Sequence, residues 1–328
     1  MYLSYVLSVM VSVHPGWRAE STMIDLERDK SVAQLAVSAD TLAVGIGKRG
    51  LHDSDSPPTA FEERSAVTLL RGAGKVGTTP WQRGSLRSIV PTSSGFLALR
   101  VDTTATPVTS HVLRVDSNAH ATELPPIERD LLGVWAEGGE VFAYGARFVL
   151  RWSAKPRGWV EVRLDAGVAP TAIRRIVRRK RGGLAVVTER AVSGFAHLDA
   201  RPTFVTSVNA YPYPMYLYGD EGWWLVVEGK GTQKIARLTD QGALDEVATP
   251  KTAHVHDLLF TADRVIFVCS REGGNVHRSS YYWMDRAGTG PLHGPFILPE
   301  DTIKACVWGD RIISASALPR VVSTPIAH

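Results

Sequence analysis

The sequence has few of the features that mark several large classes of protein. Only two of its 328 residues, Cys269 and Cys306, are cysteine, so a zinc site built on cysteine pairs is excluded. Each lies in an apolar run, which predicts two buried thiols, with a disulfide between them as the alternative. No Asn-X-Ser/Thr acceptor occurs, so no glycosylation signal marks the chain as secreted. A charged fraction of 21% and a net charge of +4 describe a globular protein that permits an acidic partner without requiring one.

Linear catalytic and cofactor motifs are missing as well. There is no nucleophile elbow, no HExxH, no P-loop and no recurring set of acidic residues for calcium, so no cofactor and no metal are expected. Residues 45–50 (GIGKRG) match a dinucleotide fingerprint, but the two prolines that follow preclude the helix that must come next. On a regular strand, His254 and His256 share a face while Asp257 points away, which predicts structural histidines rather than a zinc site.

The N-terminal stretch MYLSYVLSVMVSV is apolar but lacks a basic region before it and a small-residue cleavage site after it. It is also too short and too rich in serine to span a membrane. We therefore predict a strand of the mature protein and a cytoplasmic location. The alternative is a periplasmic or secreted protein, if Met1–Val13 acts as a signal.

What the chain does have is a repeated pattern of short apolar runs. Leu131–Leu164 contains four of them, Leu131–Ala136, Glu140–Gly145, Arg147–Trp152 and Gly158–Leu164, separated by tight polar or glycine-bearing turns. This spacing predicts four antiparallel strands joined by hairpins. A sheet of this size cannot bury both faces alone, so it needs neighbours of the same kind.

Similar pairs of hairpins recur along the chain at steps of about 40 to 55 residues, the period of propeller blades. Six pairs are complete, and a seventh first hairpin at Asp301–Ala317 has no partner after it. Two N-terminal strands, Tyr2–Val13 and Trp17–Glu27, are predicted to complete this last blade and to close the ring, which would hide two sheet edges. The competing interpretation is a helix over Ser21–Val37.

The prediction is thus an all-β, monomeric chain that forms one seven-bladed β-propeller domain over residues 1–328. The predicted blades are approximately 31–83, 84–129, 130–171, 172–212, 213–252, 253–300, and 301–318 with 1–30.

By these features the chain resembles a bacterial seven-bladed β-propeller, in the broad group of WD-repeat, kelch and sialidase-like folds. The segment Trp135–Trp159 carries most of the likeness. Ser153, Gly158 and Trp159 echo the aspartate box of sialidase-like blades, but Lys155 stands at the aspartate position. The resemblance implies a fold and no particular activity.

Two sets of charged residues are candidates for ligand contacts. The run Arg174–Arg181 ends at a hairpin turn, where a solvated turn is the default, and neighbouring blades do not continue it, so nucleic acid is not an expected partner. The innermost strands carry unexpected polar groups that are predicted to line the central channel and could hold an anion. These residues are Gln34, Arg87, Arg175, His256 and Lys304.

The rim with the longest connections, Lys48–Glu63, Asp102–Thr109 and Arg271–Ser279, is the predicted binding surface for a protein partner. Its candidate residues are His52, Asp53, Asp55, Tyr211, Tyr213, Tyr216, Arg271, His277 and Arg278. The favoured function is a non-catalytic binding scaffold, for instance an adaptor or a toxin-neutralising immunity protein. The alternative is a hydrolase or lyase that acts on a small anionic or sugar-like substrate at the mouth of the channel.

Overall fold

The computed structural model describes residues 21–25, 30–48, 63–72, 74–164, 172–179, 182–198, 200–208, 215–229, 232–250, 253–271, 279–298, 302–316 and 320–327. These residues form 29 β-strands and no helix. The strands make seven antiparallel sheets, each numbered here as a blade in chain order. The predicted all-β, seven-bladed propeller is therefore confirmed.

The strands follow the blades along the chain, after β1 (Ser21–Asp25). Blade 1 contains β2 (Lys30–Ser38), β3 (Thr41–Lys48), β4 (Arg64–Arg71), β5 (Gly74–Thr78) and β6 (Gln82–Arg83). Blade 2 contains β7 (Ser85–Thr92), β8 (Gly95–Asp102), β9 (Thr109–Asp116) and β10 (Ala121–Glu123). Blade 3 contains β11 (Gly133–Glu137), β12 (Glu140–Tyr144), β13 (Val149–Ala154) and β14 (Arg157–Val162).

Blade 4 contains β15 (Arg175–Arg178), β16 (Leu184–Val187), β17 (Ala191–Phe195) and β18 (Phe204–Ser207). Blade 5 contains β19 (Met215–Gly219), β20 (Trp223–Gly229), β21 (Thr232–Leu238) and β22 (Leu244–Val247). Blade 6 contains β23 (Ala253–Phe260), β24 (Arg264–Arg271), β25 (Ser279–Asp285) and β26 (His293–Ile297). Blade 7 contains β27 (Thr302–Trp308), β28 (Arg311–Ser316) and β29 (Arg320–Pro325), with β1 as its fourth strand.

Blade 7 differs from its predicted composition. Its third strand is β29, from the C-terminal end of the chain, so the assignment of residues 301–318 with 1–30 is wrong at this strand. β29 carries the apolar run Val321–Val322, which lies beyond the predicted end of this blade at residue 318. β1 pairs antiparallel with β29, which excludes the helix over Ser21–Val37. The predicted strand Tyr2–Val13 lies outside the described residues.

The core is divided into seven hydrophobic clusters, and each lies between two successive blades. Strand side chains alternate between the two faces of a sheet, so Val141 and Ala143 of β12 pack towards blade 2 while Phe142 packs towards blade 4. One cluster contains Ile313 of blade 7 and Leu42 of blade 1, so it joins these two blades. The ring of packed interfaces is therefore continuous.

The second strand is the most buried strand of a blade. Burial decreases towards the first strand on the inside and towards the fourth strand on the outside. The second strands β3, β8 and β16 are almost wholly buried, whereas the first strand β2 is partly exposed and the fourth strand β14 is largely exposed. First strands of neighbouring blades, such as β2 and β7, contact one another. They consequently surround the axis of the ring, where solvent reaches part of their surface.

The antiparallel order defines two rims. We call the end at which each first strand begins the upper rim. The connections between second and third strands also lie there, because Lys30 and Arg64 both pair with Lys48. The end at which first strands turn into second strands is the lower rim. In blade 3 this lower turn contains Gly138 and Gly139, with φ of 56° and 85°, the left-handed values that a two-residue hairpin loop requires.

We expect the interface between blades 7 and 1 to contribute strongly to stability. Ile313→Ala removes a side chain that is 1% exposed in this interface and is expected to lower the free energy of unfolding by about 2–5 kcal/mol. The matched control is Ile297→Ala on an outer strand, where the side chain is 46% exposed and the expected loss is much smaller. Urea unfolding of both variants checks this, and equal losses would contradict it.

Candidate functional site

Four first strands share a bulge at the same place. The pairing register shifts between Val32 and Gln34 in β2, between Leu86 and Ser88 in β7, between Val255 and Asp257 in β23, and between Thr302 and Lys304 in β27. A bulge inserts one extra residue and changes which side chains face each side of the strand. In all four strands the residue after the insertion is polar: Gln34, Ser88, Asp257 and Lys304.

The first strands of blades 4 to 7 bring five polar side chains close to one another. We call these five residues, Arg175, Tyr218, His256, Asp257 and Lys304, the axial cluster. The Tyr218 hydroxyl lies within hydrogen-bond reach of the Asp257 carboxylate and 3.3 Å from the His256 carbonyl oxygen. The Arg175 guanidinium lies 5.5 Å from the centroid of the Tyr218 ring, a cation–π contact. Arg175 and Lys304 both lie close enough to the Asp257 carboxylate to lower its pKa.

The electrostatics of the cluster centre on Asp257. Protein surrounds this carboxyl on most sides, although part of the residue keeps contact with solvent in the channel. Desolvation raises the pKa of Asp257 to about 6, against the opposing effects of Arg175, Lys304 and the hydrogen bonds from the Leu258 amide and Tyr218. Such a carboxyl exchanges its proton close to neutral pH.

The neighbouring groups are held in their neutral forms. Burial, followed by the charge of Asp257, raises the pKa of Tyr218, which therefore stays protonated. Burial, followed by His254 and Lys304, lowers the pKa of His256 to about 4. Nε2 of that imidazole is buried and makes no hydrogen bond within the described part of the chain.

Further titratable groups lie next to the cluster. His254 Nε2 lies 3.2 Å from Glu228 Oε1, and burial raises the pKa of Tyr216, with Glu228 adding to the effect. Burial and the charge of Asp257 raise the pKa of the Cys306 thiol to about 12. Arg175 and Tyr216 are exposed and stand at or near the beginnings of their strands, so the cluster opens towards the upper rim.

Gln233 fixes the backbone that carries the histidines. Its Nε2 donates to the Val255 carbonyl oxygen at 2.6 Å, and its Oε1 accepts from the Val255 amide at 2.8 Å. Because Gln233 lies on blade 5 and Val255 on blade 6, this pair positions β23 relative to its neighbour.

The five residues predicted to line the channel divide into two groups. Arg175, His256 and Lys304 are brought together in the axial cluster. Gln34 and Arg87 instead join blades 1, 2 and 3. Gln34 donates to the Arg87 carbonyl oxygen at 2.7 Å. Arg87 in turn donates to the Leu131 carbonyl oxygen at 2.9 Å and contacts the Asp130 carboxylate at 2.7 Å.

Sequence reasoning missed Asp257 and Tyr218. Asp257 was expected to face away from His256, because a regular strand alternates its side chains. The bulge at His256 breaks that alternation. One available signal was the recurrence of a polar residue at the corresponding place of β2, β7 and β27.

The structure also describes part of the glycine-rich run at residues 45–50, both cysteines and the candidate metal ligands. Residues 45–48 belong to β3, and residues 49–62, where a nucleotide-binding helix would have to follow, lie outside the described residues. Cys269 is a buried free thiol and Cys306 a partly buried one, so no disulfide joins them. The described residues contain no group of three or more His, Cys, Asp or Glu that could hold a metal ion.

Arg178 and Arg179, at the end of β15, contact neighbouring blades in addition to solvent. Arg178 donates to the Ala136 carbonyl oxygen at 2.6 Å and lies 3.3 Å from the Glu137 carboxylate on blade 3. Arg179 pairs with Asp240 of blade 5 and covers the Trp223 ring. Both therefore hold neighbouring blades together at the lower rim.

Most of the predicted partner-binding rim lies outside the described residues: His52, Asp53, Asp55, Tyr211, Tyr213, His277 and Arg278. Tyr216 is described and is 37% exposed, and Arg271 ends β24. Partner binding by this set stays a prediction.

The fold defines a seven-bladed β-propeller, and comparison with known proteins agrees. No protein-family model matches the chain, and no curated protein matches it in sequence. Among solved structures, it is similar to a catalytically inactive virginiamycin B lyase from Staphylococcus aureus with quinupristin, at 13% identity and a TM-score of 0.61, over 94% of this chain and 99% of that one.

The β-propeller domain of the Trilobed protease from Pyrococcus furiosus is also similar, at 9% identity and a TM-score of 0.59, over 90% of this chain and 93% of that one. Acylaminoacyl peptidase from Pyrococcus horikoshii matches 88% of this chain with 50% of its own, at 10% identity and a TM-score of 0.55. At these identities the likeness concerns the fold alone. The described residues also include no helix that is long and apolar enough to cross a bilayer.

Asp257 and His256 are expected to affect stability in opposite directions between about pH 4 and 6. The pKa of Asp257 is raised by folding, so its contribution is fully present below its unfolded value of 3.8 and is lost as pH rises through about 6. The pKa of His256 is lowered, so its contribution is present above the unfolded value of 6.5 and is lost as pH falls through about 4.

The Asp257→Asn substitution removes the contribution of Asp257 to the pH dependence of stability and leaves that of His256. Relative to the wild type, its free energy of unfolding should therefore rise with pH between about 4 and 6, by at most about 1.4 kcal/mol per pH unit. Urea unfolding at four pH values checks this. Asp130→Asn, at an exposed carboxylate outside the cluster, serves as the control, and the same pH trend in both variants would contradict the assignment.

Proposed function

We propose that the central channel binds a small anionic substrate through the axial cluster and exchanges a proton with it through Asp257, as a lyase or hydrolase requires. The observation that carries the proposal is a carboxyl with a pKa of about 6 beside a tyrosine hydroxyl and two cationic side chains. Convergent ionisable groups with perturbed pKa values are typical of catalytic sites.

The charges in the cluster favour an anion. Arg175 and Lys304 bring two positive charges against the single carboxylate of Asp257, and His256 is neutral above about pH 4. When Asp257 is protonated, the positive charge is no longer opposed within the cluster. During a reaction, Arg175 would also stabilise negative charge that develops on a substrate carboxylate or phosphate beside it.

Each residue has a distinct role in this proposal. Deprotonated Asp257 accepts a proton from the substrate or from water, because its pKa lies near the working pH. Tyr218 holds that carboxylate with its hydroxyl and keeps its own proton, since its pKa is raised. Arg175 and Lys304 bind the anionic group. The similarity to virginiamycin B lyase supports the proposal only in that a protein of this fold is a lyase.

The favoured interpretation of the sequence, a protein-binding scaffold such as an adaptor or an immunity protein, remains a second proposal. Its specific support is that Tyr216, an exposed aromatic residue, lies on the upper-rim side of the same channel. Tyrosine is a favoured anchor in protein interfaces.

Sulfate binding tests the anion site, because the charge of this ion does not change between pH 5 and pH 8. We expect sulfate to bind about tenfold more tightly at pH 5 than at pH 7.5, since protonation of Asp257 removes a nearby negative charge. Asp257→Asn should bind sulfate with the tighter affinity at both pH values. Lys304→Ala should weaken binding at both. Isothermal titration calorimetry measures all of these affinities.

Two controls isolate Asp257. His254→Gln removes the neighbouring titratable imidazole, which is paired with Glu228, and Asp130→Asn removes a carboxylate next to Arg87. Both should keep the pH dependence. If Asp257→Asn keeps it as well, or if Lys304→Ala binds sulfate as the wild type does, the anion site is not the axial cluster.

The catalytic step needs its own measurement. Turnover found in a panel of small carboxylates, phosphate esters and sugar acids should fall by about 10²-fold or more in Asp257→Asn and should be retained in Asp130→Asn. The acid limb of kcat/KM should lie near pH 6 in the wild type. Turnover that Asp257→Asn leaves unchanged would refute the proton-transfer role while leaving anion binding intact.

A further inference from the structure

A group of arginines lies on the upper rim of blades 3 and 4, outside the axial cluster. We call Arg129, Arg147, Arg163 and Arg174 the arginine sector. Arg129 precedes β11, Arg147 lies between β12 and β13, Arg163 follows β14, and Arg174 precedes β15. All four side chains are exposed.

Backbone and ring contacts bring three of these arginines around Phe148. The guanidinium of Arg129 lies 4.9 Å from the centroid of the Phe148 ring. Arg147 is the preceding residue, in a turn closed by the hydrogen bond from the Gly145 amide to the Phe148 carbonyl oxygen. Arg163 directly follows Val162, which pairs with Val149, and so stands beside the same residue.

A further hydrogen bond joins this group to blade 4. The amide of Ile173 donates to the Ala146 carbonyl oxygen at 2.7 Å. Arg147 and Arg174 each follow one partner of this bond, so they are neighbours across the blade interface. Arg175, the exposed cation of the axial cluster, continues the positive surface towards the channel.

Described carboxylates pair with two of the four arginines of the sector. Arg129 is paired with Glu161 at 3.0 Å, and Arg174 is paired with Glu189. Arg147 and Arg163 have no ion pair or hydrogen bond to any described side chain. Two positive charges of the sector therefore have no ion pair with a described carboxylate, and Arg175 adjoins them.

The lower rim of blades 4 to 6 uses its arginines differently. Arg178 and Arg179 contact acidic partners on neighbouring blades, and Arg286 pairs with the buried Asp220. Those guanidinium groups stabilise blade interfaces. Arg147 and Arg163, in contrast, hold no blade to another within the described residues and remain accessible.

We propose that the arginine sector docks an acidic segment of a partner protein, with partner carboxylates on Arg147 and Arg163. Guanidinium groups bind carboxylates in a bidentate geometry, which suits separate acidic side chains. A nucleic acid fits less well. Base stacking needs open aromatic faces, whereas Arg129 covers Phe148, and Glu161 and Glu189 would repel a continuous phosphate backbone.

This surface is independent of the chemistry proposed for Asp257. The arginine sector would bind an acidic partner at the upper rim. Its residues differ from the long-loop residues that the sequence predicts to bind a partner. Because the attraction is electrostatic and exposed, its affinity should fall as salt rises.

The test uses a fluorescein-labelled peptide of alternating glutamate and alanine, about a dozen residues long, with fluorescence anisotropy as the readout. The double variant Arg147→Glu with Arg163→Glu should bind this peptide about tenfold or more weakly than the wild type at low salt. The control is Arg114→Glu with Arg157→Glu, two exposed arginines towards the lower ends of β9 and β14, which change the net charge equally. It should bind within about twofold of the wild type.

Far-ultraviolet circular dichroism and urea unfolding establish that both double variants are folded. Equal weakening in both would overturn the proposal, because it would show a response to net charge alone. So would wild-type binding that neither double variant alters. A single-stranded oligonucleotide of the same charge that binds the wild type more tightly than the peptide, and is weakened only by the sector variant, would assign the surface to nucleic acid instead.

Discussion

The structure depends on one constraint: a four-stranded sheet of this sequence is apolar on both faces, so each sheet must be covered twice. The seven hydrophobic clusters meet this requirement, one between each pair of successive blades, including blades 7 and 1. Second strands such as β3 and β16 lie at the centre of these layers and are almost fully buried. Burial of this kind is the dominant stabilising contribution to folding.

The same constraint explains why polar chemistry collects at the axis. First strands lie at the inner edge of the layers, where cover is incomplete and polar side chains meet in the channel. The recurring bulge near the upper rim turns Gln34, Asp257 and Lys304 away from the positions that regular alternation assigns to them. In blade 6 the bulge places Asp257 where desolvation raises the pKa of its carboxyl, whereas in blades 1 to 3 Gln34 and Arg87 link neighbouring strands.

Arginine side chains make different contacts at the two rims. At the lower rim, Arg178, Arg179 and Arg286 pair with carboxylates of a neighbouring blade and strengthen the interfaces. At the upper rim of blades 3 and 4, Arg147 and Arg163 have no such partner among the described residues and extend the positive surface that begins with Arg175. The mild net charge of the chain, +4, conceals this difference because composition does not record position.

By itself, the sequence determined the all-β class and the number of blades, because hydrophobic alternation and turn spacing are local properties of a chain. Only the tertiary structure decided that β29 is the third strand of blade 7, that Asp257 joins His256 in the channel, and that Arg178 binds blade 3. Each of these depends on strand pairing or on contact between sheets far apart in sequence. A single inserted residue in a strand reverses its faces, and no local pattern reveals which partner strand accommodates the insertion.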